Sequence, residues 1–357
     1  MNPQQRAMPK KENRLSDQYE KIDKDPVGSG TYGEVWRCRS KTDEKKIVSV
    51  KQSKIENEDC SLTPSIFREL VLLSEINYPH IIHITSKDIF CEFENKTLSF
   101  AYTYGAIDVR KMIQFYYKEK KKMDPVVSKS ILFQLLLALD HLHKRSIAHC
   151  DLTPSNLLLM SPDSSIPGII KLIDFGLSRV IENSGLQKNY GVVTVWYRAP
   201  ELLLGDKNYD TKIDIWSAGC IFAELIEPRT ALFATQKNQE KDPTQFNQLQ
   251  LQTICGILGP ISEADIPPRC TFQNQLKLIR PSHQSTLRNL FMNVSDNAFD
   301  LLSKMLCYNP AHRISAHDAL RHPYFSEPPI CVMNISGQIP IDEWKTLKSL
   351  GCTKTES

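Results

Sequence analysis

The chain lacks any run of about 18 consecutive apolar residues, the length a membrane-crossing helix needs, so no membrane span is expected. The first 24 residues are polar and charged and contain no apolar signal core. None of the ten cysteines stands at C-x-x-C spacing or beside a histidine cluster, which argues against a zinc site or a redox motif. Scattered cysteines of this kind suit reduced, buried thiols and an intracellular protein. A net charge of +3 is too small to make nucleic acid or membrane the expected main partner. No internal repeat is present.

At 357 residues the chain exceeds the usual size of one hydrophobic core, so two domains or lobes are expected. Its pattern changes along its length. Residues 1–18 are polar and expected to be disordered. In residues 35–39, Trp36 and Cys38 alternate with Arg37 and Arg39, as in a strand. A second strand, residues 47–51, places Val48 and Val50 on one face and Lys51 on the other, after a turn at residues 41–44. Thr63 and Pro64 then open a helix carrying Ile66, Phe67, Leu70, Leu73 and Ile76. After Gly105 helical spacing dominates, in residues 128–143 and in the almost wholly apolar residues 213–227. Residues 118–122, a basic run, and 161–168 read as inserted loops, and 235–243 as an irregular one. The basic run suits a solvated loop, with an acidic partner or nucleic acid as the sharper reading. The expectation is an α+β chain: a small β-rich part at 19–104 with one helix, a larger mainly helical part at 105–325, and a surface strap at 326–357.

The chemistry sits in short motifs. Gly28-Ser29-Gly30-Thr31-Tyr32-Gly33 is a G-x-G-x-x-G that runs into a strand rather than a helix, with Val35 two residues on. That context fits a loop whose backbone N–H groups cover phosphates, with Val35 roofing a base. Lys51 ends an apolar strand, where it reads either as a solvated lysine or as a cation for phosphates held by Glu69 on the next helix. His149-Cys150-Asp151-Leu152-Thr153-Pro154-Ser155-Asn156 has the D-x-x-x-x-N spacing of a phosphotransfer loop, and Asp174-Phe175-Gly176 follows another apolar strand. Each fragment alone could be a turn. Their order, completed by Ala199-Pro200-Glu201, carries the reading.

At these residues the chain resembles the protein kinases, over roughly residues 19–325. Val193-Thr194-Val195-Trp196-Tyr197-Arg198-Ala199-Pro200-Glu201 and Ile213-Asp214-Ile215-Trp216-Ser217 are similar to the cyclin-dependent kinase family. Within it the chain is most similar to the Mediator-associated branch that partners cyclin C, judged by Lys51-Gln52-Ser53-Lys54, the two inserted loops, residues 301–306 and Gln338-Ile339-Pro340. The resemblance implies the bilobal kinase fold with one regulatory helix, a Ser/Thr-Pro preference shaped by Val193 and Arg198, and a cyclin-binding helix at residues 62–70. It implies ATP and Mg²⁺ as cofactors. Asp151 is then the base, assisted by Lys51, Glu69 and Thr153. Val27, Gly28, Ser29, Gly30, Thr31, Tyr32, Gly33, Glu34, Val35, Lys51, Phe100 and Tyr102 surround the nucleotide. Asn156 and Asp174 hold the metal, and Arg313 pairs with Glu201. Cyclin, Mediator subunits and transcription proteins are the implied partners, and the nucleus the implied location.

Three positions depart from the family pattern. Cys150 stands where an arginine usually helps to bind an activation-loop phosphate, and Asn189 stands at the phosphothreonine position; Arg68 and Arg179, the other phosphate ligands, are present. Thr153 replaces a lysine that contacts the γ-phosphate, with Thr194 expected nearby. Tyr190, Thr31 and Tyr32 are candidate modification sites, more simply read as packing residues. Two alternatives therefore stay open: a cell-cycle type of cyclin-dependent kinase, and a pseudokinase scaffold within Mediator.

Overall fold

The computed structural model of the chain describes residues 13–30, 33–55, 63–92, 94–181, 195–235, 247–279 and 284–351. Thr31, Tyr32, Asn189, Tyr190, Val193, Thr194 and most of the 235–243 segment lie outside the described residues. The described chain divides into two compact units, residues 13–77 with 82–105, and residues 78–81 with 106–351.

The first unit is an antiparallel sheet with one long helix. Its elements are α1 (Leu15–Gln18), β1 (Tyr19–Lys21), β2 (Gly28–Gly30), β3 (Gly33–Ser40), β4 (Ile47–Lys54), α2 (Pro64–Glu75), β5 (Ile89–Glu92) and β6 (Thr97–Thr103). The strand order is β1-β3-β4-β6-β5, with β2 folded back on β3. Period-two alternation works here as the sequence suggests. Cys38, Val48, Val50 and Ala101 share one face and form a core with Leu15, Tyr19 and Phe90. Residues opposite one another on the other face are Val35, Lys51 and Phe100. The disorder expected through residue 18 does not hold for residues 13–18. Leu15 is buried in the core, and Asn13 donates to the carbonyl of Ile89 at 3.0 Å. One buried leucine and an edge-strand carbonyl outweigh the polar composition.

Helix α2 begins as expected, with the Thr63 hydroxyl accepting from the Ile66 N–H and Pro64 in the first turn. Ile66, Leu72 and Leu73 are buried, and so is Glu69. Phe67, which the spacing assigns to the apolar face, is 57% exposed, with Val71 one turn on also exposed. A charged residue therefore faces inward and an apolar pair outward.

The second unit is mainly helical: β7 (Gly105–Asp108), α3 (Val109–Lys118), α4 (Pro125–His143), β8 (Ile147–Ala148), β9 (Leu157–Met160), β10 (Ile170–Leu172), β11 (Arg179–Val180), α5 (Pro200–Leu203), α6 (Lys212–Ile226), α7 (Gln248–Leu258), α8 (Leu287–Leu290), α9 (Asp296–Met305), α10 (Ala316–Ala319) and α11 (Ile341–Gly351). Helix α6 is buried from Ile213 to Leu225 and packs against α4 and α9. Helix α4 is long and apolar enough to cross a membrane by length and composition, which the run-length expectation did not foresee. Its apolar residues from Val127 to Leu142 are spent on the core. The order β10-β9-β7 makes a small sheet, and β8 pairs with β11. The strap expected after residue 326 ends in helix α11, which buries Trp344 and Leu347 and packs on α3. The basic run is tied down by carboxylates of this unit, Lys121 to Glu343 at 3.1 Å and Lys122 to Glu227 at 3.3 Å.

Candidate active-site residues in each unit

In the first unit the hairpin of β2 and β3 sets Gly28 opposite Val35 and Gly30 opposite Gly33. The glycines differ in their reasons. Gly33 has φ +136°, and a Cβ there would overlap the Gln52 carbonyl oxygen, so the protein's own backbone requires glycine. A Cβ on Gly28 would make only ordinary contact with Val35 at 3.6 Å. Among the described residues nothing demands glycine there, as suits a backbone left bare for a ligand. Val27 donates its N–H to the Val35 carbonyl at 2.9 Å, and Glu34 sits opposite Gln52 in the ladder. Phe100 is buried and Tyr102 half-buried on β6.

Lys51 and Glu69 are together. The Lys51 Nζ donates to both Glu69 oxygens at 2.8 and 2.7 Å, and the pair is nearly out of water, at 11% and 4% side-chain exposure. The solvated-lysine reading is thereby excluded. Phe100 places its ring 5.9 Å from the same ammonium. A buried ammonium gripped by a carboxylate is held in place, as a phosphate-binding lysine must be.

In the second unit the loop bearing Asp151 hangs from one buried carboxylate. Asp214 on α6 accepts from the N–H groups of His149 and Cys150 at 2.8 and 3.0 Å, and it meets His143 Nε2 at 2.9 Å. Burial alone would raise its pKa; the hydrogen bond and charge of His143 outweigh that and hold it below the usual carboxylate value. His149 bridges its Nε2 to the Ile173 carbonyl at 3.0 Å and meets Phe175 edge-on. Burial pushes its pKa down, toward the neutral ring. Asp214 and His149 were quoted in motifs but given no role from sequence. The available signal was an acid in the first turn of an otherwise apolar helix, which must find a partner when buried.

Asp151 has its pKa pushed up to about 7, first by burial and then by the charge of Asp174, with Asn156 and Arg198 pulling the other way. Asn156 donates its Nδ2 to the Asp151 carbonyl at 2.7 Å. The Ile173 N–H bonds the Asn156 carbonyl at 3.0 Å, which ties Asn156 to the residue before Asp174. Asp174 itself has φ +65°, a left-handed backbone unusual for a side-chain-bearing residue. Thr153 is buried and makes no capping bond to the turn at Pro154–Asn156. Cys150, at φ +66°, turns its Sγ toward the Ala148 carbonyl at 3.6 Å and the Tyr209 hydroxyl at 3.9 Å.

These donors fit a magnesium ion. Asn156 has committed its amide nitrogen, which leaves its oxygen for a metal, and Asp174 adds a carboxylate; both are hard oxygen ligands. Among the described residues no group of three or more His, Cys, Asp or Glu could hold a metal by itself. An ion here would complete its shell with water and phosphate, as magnesium commonly does.

Away from these groups, Glu201 and Arg313 form the pair expected from resemblance, at 2.7 and 2.9 Å.

A lysine clamped by a helix carboxylate, and a half-buried aspartate beside an asparagine and a second aspartate, are the kinds of group a phosphotransferase uses. The protein kinase domain model matches residues 21–325. The chain belongs to the protein kinase family, in its serine/threonine, cyclin-dependent branch.

Its similarities within that branch are specific. It is 36% identical to cyclin-dependent kinase E-1 of Arabidopsis thaliana over 85% of this chain and 66% of that protein, just under two thirds of its length. It is 34% identical to probable cyclin-dependent kinase 8 of Dictyostelium discoideum, over 86% of this chain and 81% of the relative. It is 33% identical to serine/threonine-protein kinase SSN3 of Yarrowia lipolytica, over 91% and 82%.

Proposed function

We propose that the chain is a cyclin-dependent kinase of the Mediator-associated type, which moves the γ-phosphate of ATP onto Ser/Thr-Pro sites of nuclear transcription proteins. The branch is supported by relatives named cyclin-dependent kinase 8 and SSN3, each matched over more than four fifths of its length. That the chain is catalytic rather than a scaffold rests on one observation, the formed Lys51–Glu69 pair.

Lys51 holds the α- and β-phosphates, under backbone N–H groups of residues 28–33, while Val27, Val35, Phe100 and Tyr102 line the base. Asn156 and Asp174 hold Mg²⁺, which when bound neutralises charge on the β- and γ-phosphates. Asp151 orients the substrate hydroxyl and takes its proton as the new O–P bond forms and the bond to the ADP oxygen breaks. Arg198 shapes a pocket in which a substrate N–H would be unpaired, so proline, having none, is preferred. Helix α2 offers Phe67 and Val71 to a cyclin C-like subunit.

The test is phosphate transfer from ATP to a Ser-Pro-rich peptide, with and without a cyclin C-like partner, beside Asp151→Asn. Transfer that needs the cyclin and vanishes in the variant is the expected result. No transfer above the variant, with cyclin demonstrably bound, turns the reading to a scaffold, the alternative that Thr153 in place of lysine favours.

A further inference from the structure

The C-terminal segment makes contacts that the kinase reading does not use. After α10 it runs along α4, where Lys129 donates to the Glu327 carbonyl at 2.8 Å and Ser130 accepts from the Val332 N–H at 2.8 Å. Gln134, fully buried, gives its amide N–H to the Met333 carbonyl at 3.1 Å and takes the Ile170 N–H at 2.7 Å. One side chain thus joins the tail to the first residue of β10. The Ile335 N–H bonds the Gly168 carbonyl at 3.3 Å, and Gly168 has φ +66° with no room for a Cβ against residues 334–336. Lys348 on α11 reaches Asp163 in the same inserted loop.

Helix α11 then closes on the other edge of that small sheet. Glu343 accepts from Tyr116 at 2.8 Å and pairs with Lys121, and Trp344 donates its indole N–H to the Ser336 carbonyl at 2.9 Å. Gly351, its last residue, lies so close to β7 that an added methyl would overlap the Ala106 carbonyl oxygen. Its φ is outside the left-handed region, so contact rather than conformation selects glycine. The tail therefore meets edge strand β7 directly at Ala106 and reaches edge strand β10 through Gln134 and the Gly168 turn before it. Asn156 immediately precedes β9, and Asp174 follows β10 by two residues.

We propose that α11 is a positioning element of the reaction: it braces the β10-β9-β7 sheet and thereby sets Asn156 and Asp174 for the magnesium–nucleotide complex. The inference rests on the kinase reading for its functional consequence. An enzyme that must hold ligands in one geometry needs rigid support behind them, since small displacements are costly. Glycine is the poorest ordinary helix former, so Gly351→Ala favours α11 as a helix and disturbs only its seat.

The experiment uses the full chain bound to its cyclin, as Gly351→Ala, Trp344→Phe and the control Ile341→Ser, a site 78% exposed on α11. The expected result for Gly351→Ala is a KM for Mg·ATP raised about five- to tenfold with kcat changed less than about twofold. Amide hydrogen exchange in β7, β9 and β10 should quicken about tenfold. Trp344→Phe should move both in the same direction by less, and Ile341→Ser should match the parent. Gly351→Ala with parental KM and parental exchange overturns the proposal. A parent complex that transfers no phosphate overturns the kinase reading instead, and exchange in the three strands still decides whether α11 braces them.

Discussion

Two buried ion pairs, one in each unit, look alike on paper and differ in construction. Arg313–Glu201 is fully buried, and its guanidinium also donates to the carbonyls of Cys307, Lys212 and Tyr308 and lies 5.3 Å from the Trp216 ring centroid. Every part of that cation is tied into the helical unit at the junction of α5, α6 and the segment after α9. Lys51–Glu69 joins one strand to one helix, with an ammonium rather than a fork meeting the carboxylate. A guanidinium locked by five donors is suited to holding structure, whereas a single-point ammonium can be shared with an incoming phosphate. In the proposed function, burial of charge serves stability in one unit and chemistry in the other.

The comparison can be broken at several points. Asp151→Asn should lower kcat by on the order of 10³-fold, measured as peptide phosphorylation by the cyclin complex, because the amide cannot take the hydroxyl proton. Arg313→Ala should cost about 3–5 kcal/mol in a denaturant titration, since it strands the Glu201 carboxylate. Glu69→Gln should act mainly on chemistry: activity falls about 10²-fold as Lys51 loses its fixed position, while stability falls by less than in Arg313→Ala because the amide oxygen still accepts from the ammonium. Equal stability losses in Arg313→Ala and Glu69→Gln would erase the distinction.

A fourth prediction concerns pH. The Asp151 carboxyl is held near 7 in the folded chain against an ordinary 3.8. Between those values the folded state keeps a proton that the unfolded state has released, so stability from this group falls as pH rises from about 4 to about 7 and is flat above. A neutral side-chain amide at this position mimics the protonated carboxyl. Asp151→Asn should therefore match the parent in stability near pH 4 and exceed it by on the order of 2 kcal/mol at pH 8, while remaining inactive. The smallest effect expected is from Thr153→Lys, which should raise kcat about tenfold by restoring a cation to the catalytic loop. An unchanged or lower kcat would show that the loop is already complete without one.

Much of the candidate set was legible because each piece is contiguous. A glycine loop, a strand-end lysine, D-x-x-x-x-N and Asp-Phe-Gly state their residues at fixed offsets, and the folded chain brings Lys51 to Glu69 and Asn156 to Asp151. Less was legible where one residue answers to a distant one. The anchoring of Asp151 runs through Asp214, sixty-three positions on, and nothing local marks His143 as its partner. Helix α11 carried a signal that was passed over. Trp344 and Leu347 are three apart, with Asp342 and Glu343 in the first turn, but Pro340 and the glycines on either side suggested a strap. Phe67 was placed on the buried face by spacing alone, yet periodicity says which residues share a face and not which face meets the core.

By itself the sequence determined the order of chemical groups, the strand and helix alternation of the two units, and the three departures at Cys150, Thr153 and Asn189, since these depend only on residue identity and near neighbours. The tertiary structure decided which charges are buried, that burial and Asp174 push the Asp151 pKa up, and that the tail's last glycine rests on Ala106. Those depend on desolvation and on contacts between residues far apart in the chain, and neither is encoded in any short stretch of it.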